Sequence, residues 1–185
     1  PDGKWLAFTS MVPAKSPVIV SGVKKPKGAK WAETPRITDR LKHEADGRGY
    51  LEPGFSHIFV VPATGGTARQ ITTGDYHHNS GLSWGRKGEK IYCSANRSDN
   101  WEYEFRNSEI YSVDVQSGAI LALTDRNGPD QRPTVSPDGK IIAYVSFEDK
   151  VQTYQLRQLY TMNIDGSNKK VISAGLDRSI GSIAW

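Results

Sequence analysis

The chain has 185 residues, 24% charged and 10% aromatic, and its 24 Lys and Arg against 20 Asp and Glu give a formal charge of +4. One Cys excludes a disulfide framework or a multi-cysteine zinc site, the charge is too small to mark a nucleic-acid partner, and no segment approaches the roughly 20 apolar residues that cross a bilayer. The 18 Gly and 10 Pro suit a turn-rich β protein better than a helix bundle.

Pro1-Asp2-Gly3 reads as a turn: Pro sets φ for the first corner, Asp bonds its own backbone and Gly takes the positive φ. It is neither a start methionine nor a signal peptide, so the chain is expected to begin in mid-structure. Trp5-Leu6-Ala7-Phe8 follows as a short strand. An excess of sequence then lies between Ser10 and His57, about residues 11–56. Between residues 11 and 42 it carries Lys15, Lys24, Lys25, Lys27, Lys30, Arg36, Arg40 and Lys42 against only Glu33 and Asp39. It reads as a solvated excursion from the rim of the fold, the alternative being a patch for an acidic partner.

The segment His57-Ile58-Phe59-Val60-Val61, the turn Thr64-Gly65-Gly66 and the run Ile71-Thr72 form a predicted hairpin. Leu82 to Trp84 is the next predicted strand. A degenerate turn that keeps Gly88 but has lost Pro and Asp leads to the strand around Ile91-Tyr92-Cys93. A long connection holds Trp101-Glu102-Tyr103-Glu104-Phe105-Arg106. The plan then recurs. Glu109 to Val113, Ser117-Gly118 and Leu123-Thr124 make a hairpin, and Pro133 to Val135 makes a strand. Ser136-Pro137-Asp138-Gly139 makes the turn before Ile141 to Tyr144. Gln158 to Met162, Asp165-Gly166 and Ile172-Ser173 make the third hairpin, and Ile180 to Trp185 the last strand.

Ile58, Ile110 and Leu159 are spaced by 52 and 49 residues. Four short antiparallel strands at that period are the unit of a β-propeller blade. The expected fold is all-β: three consecutive four-stranded antiparallel blades of a larger propeller, cut open at both ends. No segment sustains a 3.6-residue apolar period, so helix should be nearly absent. Residues 1–84 would hold blade one without its inner strand, the basic insertion, and the inner strand of blade two. Residues 85–135 would hold the rest of blade two and the inner strand of blade three, and 136–185 the rest of blade three with the next inner strand. Severed blades leave unpaired edges, from which edge-mediated self-association is expected.

The Ser-Pro-Asp-Gly-Lys-Ile-Ile-Ala-Tyr element at 136–144, followed by Ile-Tyr and Leu-Tyr hairpins with Gly turns, resembles the TolB-type propeller repeat. That repeat occurs in TolB proteins and in the non-catalytic domain of prolyl-oligopeptidase-family serine peptidases. Ile37-Thr38-Asp39-Arg40-Leu41 leading to Asp46-Gly47-Arg48-Gly49-Tyr50, and Leu123-Thr124-Asp125-Arg126-Asn127-Gly128-Pro129-Asp130, resemble acylaminoacyl-peptidase-like members. The resemblance implies a propeller that caps an α/β-hydrolase domain, C-terminal in the same parent chain, and limits entry to short peptide substrates. The alternative is a TolB-like binding module with no attached enzyme.

Gly81-Leu82-Ser83-Trp84-Gly85 matches the G-x-S-x-G nucleophile pattern. All four histidines precede Ser83 and a turn and strand follow it, so the match reads as coincidence and no residue is assigned to catalysis. Adjacent His77 and His78 point to opposite sides of an extended chain and cannot share a metal; no metal or cofactor is expected. Cys93, in an apolar strand, reads as a small core residue. Asn96-Arg97-Ser98 is a glycosylation sequon, meaningful only in a secretory setting. The candidate contacts with substrate or with a neighbouring domain are Trp101, Glu102, Tyr103, Glu104 and Arg106, in a run that weakly echoes the Trp-x-Tyr-Glu-Glu-Glu segment of the dipeptidyl peptidase four group. Paired carboxylates beside aromatics suit a peptide amino terminus.

Overall fold

One six-residue strand builds two interfaces. In Lys90–Ala95, Ile91 and Cys93 project to one side and Tyr92 to the other, because successive side chains of a strand alternate. Ile91 and Cys93 pack with Ile58, Val60, Ile71 and Val113. Tyr92 packs with Ile110, Leu123, Ile142, Tyr144 and Met162. Each such aliphatic, fully buried, contributes about 1.5–3 kcal/mol. A strand with apolar residues on both faces must lie in the middle layer of a stack.

The computed structural model describes residues 2–15, 24–32, 35, 37–78 and 80–185. In chain order the strands are β1 (Trp5–Pro13), β2 (Glu44–Ala45), β3 (Gly49–Tyr50), β4 (Gly54–Pro62), β5 (Arg69–Gln70), β6 (Ser80–Trp84) and β7 (Lys90–Ala95). They continue with β8 (Glu109–Asp114), β9 (Ile120–Ala122), β10 (Gln131–Val135), β11 (Ile141–Ser146), β12 (Gln158–Asn163) and β13 (Lys170–Val171). Among the described residues there is no α-helix. The sheets run β1-β4-β5, β6-β7-β8-β9 and β10-β11-β12-β13, with β2-β3 as a separate hairpin. All pairings are antiparallel and the sheets are open. The expectation of an all-β fold built from blade-like sheets therefore holds.

The repeated turn residues act as the sequence implies. Asp2 and Asp138 each accept the N–H two residues on through Oδ1, both at 3.1 Å. The degenerate copy survives because Gly88, at φ +73°, keeps the backbone path of Gly3 and Gly139 without the Pro-Asp pair. The hairpin glycines have a second task. A Cβ on Gly118 would sit 2.8 Å from the Ile71 carbonyl oxygen of the preceding sheet, and one on Gly166 would sit 3.0 Å from that of Leu123.

A repeated hydroxyl ends each outer strand. The N–H of Ile58, Ile110 and Leu159 donates to the hydroxyl of Thr72, Thr124 and Ser173 at 2.9, 2.9 and 2.8 Å. Meanwhile the carbonyls of Ile58, Ile110 and Leu159 accept from Ile71, Leu123 and Ile172. The ladder stops when a side chain replaces the backbone acceptor, which satisfies a buried donor that water does not reach. The regular outer strands consequently end before the residues predicted for them.

Two other expectations are corrected. The insertion is shorter than residues 11–56, because β1 and β4 pair over nine residues from Trp5↔Pro62 to Pro13↔Gly54. The excursion starts after Pro13 and holds the hairpin β2-β3, closed by the Arg48 N–H to the Ala45 carbonyl. Its Lys24, Lys25, Lys27, Lys30 and Lys42 are exposed, whereas Arg40 is partly covered; Glu33 and Arg36 lie outside the described residues, as does Pro1. Ile180 to Trp185, predicted as a strand, joins no ladder among the described residues. It runs beside β10, held by Trp185 Nε1 to the Thr134 carbonyl at 3.0 Å and by Arg132 to the Gly181 carbonyl. Among the described residues its backbone makes one bond to another backbone group, from the Ile180 N–H to the Arg157 carbonyl at 2.9 Å, which is too little for a ladder.

Candidate functional site

The connections leave the sheets at one end, opposite the Pro-Asp-Gly turns. Pro13↔Gly54, Ala95↔Glu109 and Ser146↔Gln158 are the last pairs before the three long connections. The connections also touch one another. The Asp149 N–H donates to the Asn127 carbonyl at 3.0 Å, the Gly128 N–H donates to Asn107 Oδ1 at 3.3 Å, and Trp101 packs edge-on against Phe55 and His77.

The seam between the first two sheets is capped by histidines and one arginine. His78 is fully buried. Its Nε2 accepts from Arg97 at 2.7 Å, which places the ring proton on Nδ1, and the Nδ1 proton has no partner among the described residues. Burial, with Arg97 and His57 adding repulsion, pulls His78 down to about 4. Burial also lowers His57 and His77. Arg97 lies over the Tyr76 ring, 4.6 Å from its centroid. His77 turns the other way, accepting the Ser56 N–H at 3.1 Å. The two adjacent histidines thus face different surroundings.

The seam between the second and third sheets is capped by carboxyls. Asp130, fully buried, is bound by Arg126 Nη2 at 2.6 Å and by the Ser146 hydroxyl. Its backbone carbonyl accepts from Ser94 at 2.7 Å. Burial pushes the Asp130 carboxyl upward, opposed by Ser146 and Arg126. Glu109 accepts from the Thr124 hydroxyl, and burial raises it to about 7, with Asp130 and Asp125 adding to the rise. Sequence reading missed both caps. The only trace in the sequence is positional: His57 and Glu109 precede Ile58 and Ile110 at the same point of the repeat.

Outside these caps the connections of the second and third sheets enclose an open cleft of about 400 Å³. Tyr103, Glu104, Phe105 and Arg106 line it on one side, Asn127, Asp149 and Val151 on the other. Tyr103 and Phe105 are exposed rings. Arg106 pairs with Asp149 at 3.8 Å, whose carboxyl is held below its ordinary range by the Val151 N–H and the Gln155 amide. Glu104 keeps its carboxylate at the cleft while its backbone carbonyl accepts from Asn96 Nδ2 at 2.7 Å. The predicted run is therefore divided. Tyr103, Glu104 and Arg106 share the cleft; Trp101 lines a smaller recess of about 160 Å³ beside His77 and Gln131, and Glu102 lines neither, with Oε1 buried and unpartnered among the described residues. Chemically, the cleft offers the Glu104 carboxylate, the Arg106–Asp149 ion pair and two aromatic faces.

The nucleophile-like motif has a packing explanation. Ser83 sits inside β6, and its Oγ accepts the Val135 N–H of the next sheet at 3.0 Å. Gly81 stands where a Cβ would lie 2.8 Å from Arg132 Cα. Small residues recur there because two inner strands approach closely. Cys93 is fully buried, and burial drives its thiol up to about 12, so it is inert as a nucleophile.

Residues 27–144 match the family model of the dipeptidyl peptidase IV N-terminal region. Among curated proteins, the chain is 32% identical over 126 residues to an uncharacterized protein of Agrobacterium fabrum, covering 66% of this chain and 37% of that protein. It is 27% identical over 142 residues to dipeptidyl-peptidase 5 of Porphyromonas gingivalis, covering 70% of this chain and 21% of that one. The chain thus spans well under half the length of either relative. Among solved structures, a putative TolB from Agrobacterium tumefaciens superposes with a TM-score of 0.51 at 27% identity, covering 65% of this chain and 38% of that chain. TolB from Acinetobacter baumannii superposes with a TM-score of 0.51 at 19% identity, covering 70% and 30%.

Proposed function

The chain belongs to the family of dipeptidyl peptidase IV N-terminal regions, and from that premise we propose that it is the non-catalytic propeller portion of a serine exo- or oligopeptidase. The observation that carries this reading is the family match across 27–144, joined by the likeness to dipeptidyl-peptidase 5. In this reading the three sheets are consecutive blades with boundaries near 84 and 135. The catalytic residues belong to an α/β-hydrolase domain of the parent chain, on which the propeller packs and to which it limits entry. The connection end, with its cleft, faces incoming peptide. The Glu104 carboxylate would take a peptide amine by a charge-assisted hydrogen bond, with Tyr103 and Phe105 against adjoining side chains.

The test is to treat a lysate of the source organism with a fluorophosphonate probe for active serine hydrolases. The captured fraction should yield tryptic peptides of this chain. The 185-residue chain produced alone should turn over dipeptidyl and acyl-peptide chromogenic substrates at background rate. Recovery of its peptides only from the uncaptured fraction favours a TolB-like binding module and overturns the proposal. Turnover by the isolated chain that survives repurification overturns it as well.

A further inference from the structure

The sequon Asn96-Arg97-Ser98 has a use inside the fold. Asn96 is the first residue after β7, and its side chain is engaged with the connection that follows. Its Oδ1 accepts the Ser98 N–H at 3.2 Å and the Ser98 hydroxyl at 3.0 Å. Those two bonds hold the amide so that Nδ2 points along the connection. Nδ2 donates to the Glu104 carbonyl at 2.7 Å and, at 3.4 Å, to the Trp101 carbonyl. Arg97, next in the chain, is held on His78 at the seam between the first two sheets. All three residues of the triplet are therefore anchors.

Glu104 is gripped from the other end of the connection too. The Asn107 N–H donates to the same Glu104 carbonyl at 2.8 Å, and Asn107 Nδ2 reaches Glu104 Oε2 at 3.4 Å. Asn107 Oδ1 in turn accepts the Gly128 N–H at 3.3 Å, on the Asn127 side of the cleft. The Glu104 N–H donates to the Asn100 carbonyl at 2.9 Å. An exposed residue thus has its N–H bonded once and its carbonyl twice. Water would satisfy those groups unaided, and ordering a surface loop costs backbone entropy. What the double grip secures is direction. With N–H and carbonyl fixed, the Cα–Cβ bond is fixed, and the carboxylate stays at the cleft beside the Tyr103 and Phe105 rings.

We infer that Asn96 is a positioning residue: it acts through Glu104, holding that carboxylate where a peptide ammonium would meet it. The inference rests on the peptidase reading and adds to it the side chain that aims the contact. Asn96 needs no contact with the peptide. Asparagine rather than aspartate suits the place because a donor must face two carbonyl oxygens, which a carboxylate would repel.

The test uses the full-length parent peptidase and two chromogenic dipeptidyl substrates, one with its free amine and one with hydrogen in place of the amino group. The ratio of their kcat/KM values reads the ammonium contact and is insensitive to the amount of folded enzyme. Glu104→Gln should lower the ratio about 10- to 100-fold, the effect of losing a hydrogen bond to a charged group. Asn96→Asp keeps the acceptor for Ser98, loses the donor to Glu104, and should lower the ratio about tenfold through misplacement of the carboxylate. In the Glu104→Gln background Asn96→Asp should change it no further, since the two act as one unit. Asn96→Ala, which adds no charge, should act in the same direction and decides if the aspartate variant does not fold. A ratio unmoved by the Asn96 variants, or lowered as much again in the Glu104→Gln background, overturns the inference and leaves the role of Glu104 in place. A ratio unmoved by Glu104→Gln overturns the ammonium contact itself, and the inference with it.

Discussion

Thr124→Val isolates the side-chain terminus of the second sheet's ladder. The Ile110 N–H is buried with a residue that is fully inaccessible, and its acceptor is the Thr124 hydroxyl at 2.9 Å. Valine keeps the shape and removes the acceptor. It also removes the hydroxyl that donates to Glu109. An orphaned buried donor costs about 1–3 kcal/mol, which at about 2–4 °C per kcal/mol for a chain of this size lowers Tm by about 2–12 °C. Thr124→Ser retains both hydrogen bonds and loses one methyl, so its loss should stay near about 0.5–1.5 kcal/mol. Urea unfolding followed by circular dichroism reads both, with the midpoint falling and the slope unchanged. A valine variant within about 0.5 kcal/mol of the parent, or a serine variant as damaged as the valine one, would refute the view that the hydroxyl terminates the ladder.

Two further predictions concern the seams and their caps. Gly118→Ala should be more destabilising than Gly65→Ala in the same unfolding assay: both take an Ala to positive φ, at about 1–2 kcal/mol, but only Gly118 faces a neighbouring carbonyl, while Gly65 faces open space. Equal losses would remove the close approach as the reason for glycine in the hairpin. Glu109 has a folded-state value near 7 against an ordinary 4.5, so the folded protein holds its proton more tightly; the stability it contributes is fully present below about 4.5 and lost as pH rises to about 7. Glu109→Gln should flatten that part of the stability–pH curve, measured by urea midpoints across the window, and an unchanged slope would contradict the buried-carboxyl assignment.

The sequence alone determined what depends on neighbours along the chain. Alternating apolar residues around Ile58, Ile110 and Leu159, Gly at each hairpin and a Gly turn before each second strand specify short antiparallel strands, because turn dihedrals and side-chain alternation are local properties. The dismissal of Gly81-Leu82-Ser83-Trp84-Gly85 as a nucleophile motif came from the same level, since a strand and not a helix follows it. Strand status was less legible where pairing is required: Ile180 to Trp185 has the pattern but, among the described residues, a single backbone bond from Ile180 to Arg157 and no ladder, and Met11 to Pro13 lack the pattern's clarity yet pair with Gly54 to Ser56. Only the tertiary structure separated Trp101 from Tyr103, Glu104 and Arg106 into different recesses, set Arg97 on His78, and gathered Ser94, Arg126 and Ser146 around Asp130. Those groups meet because sheets stack face to face, which brings together residues such as Ser94 and Asp130, 36 positions apart. Turn chemistry and strand period fix each sheet, but they leave undetermined which polar side chains the closed seams bury against one another.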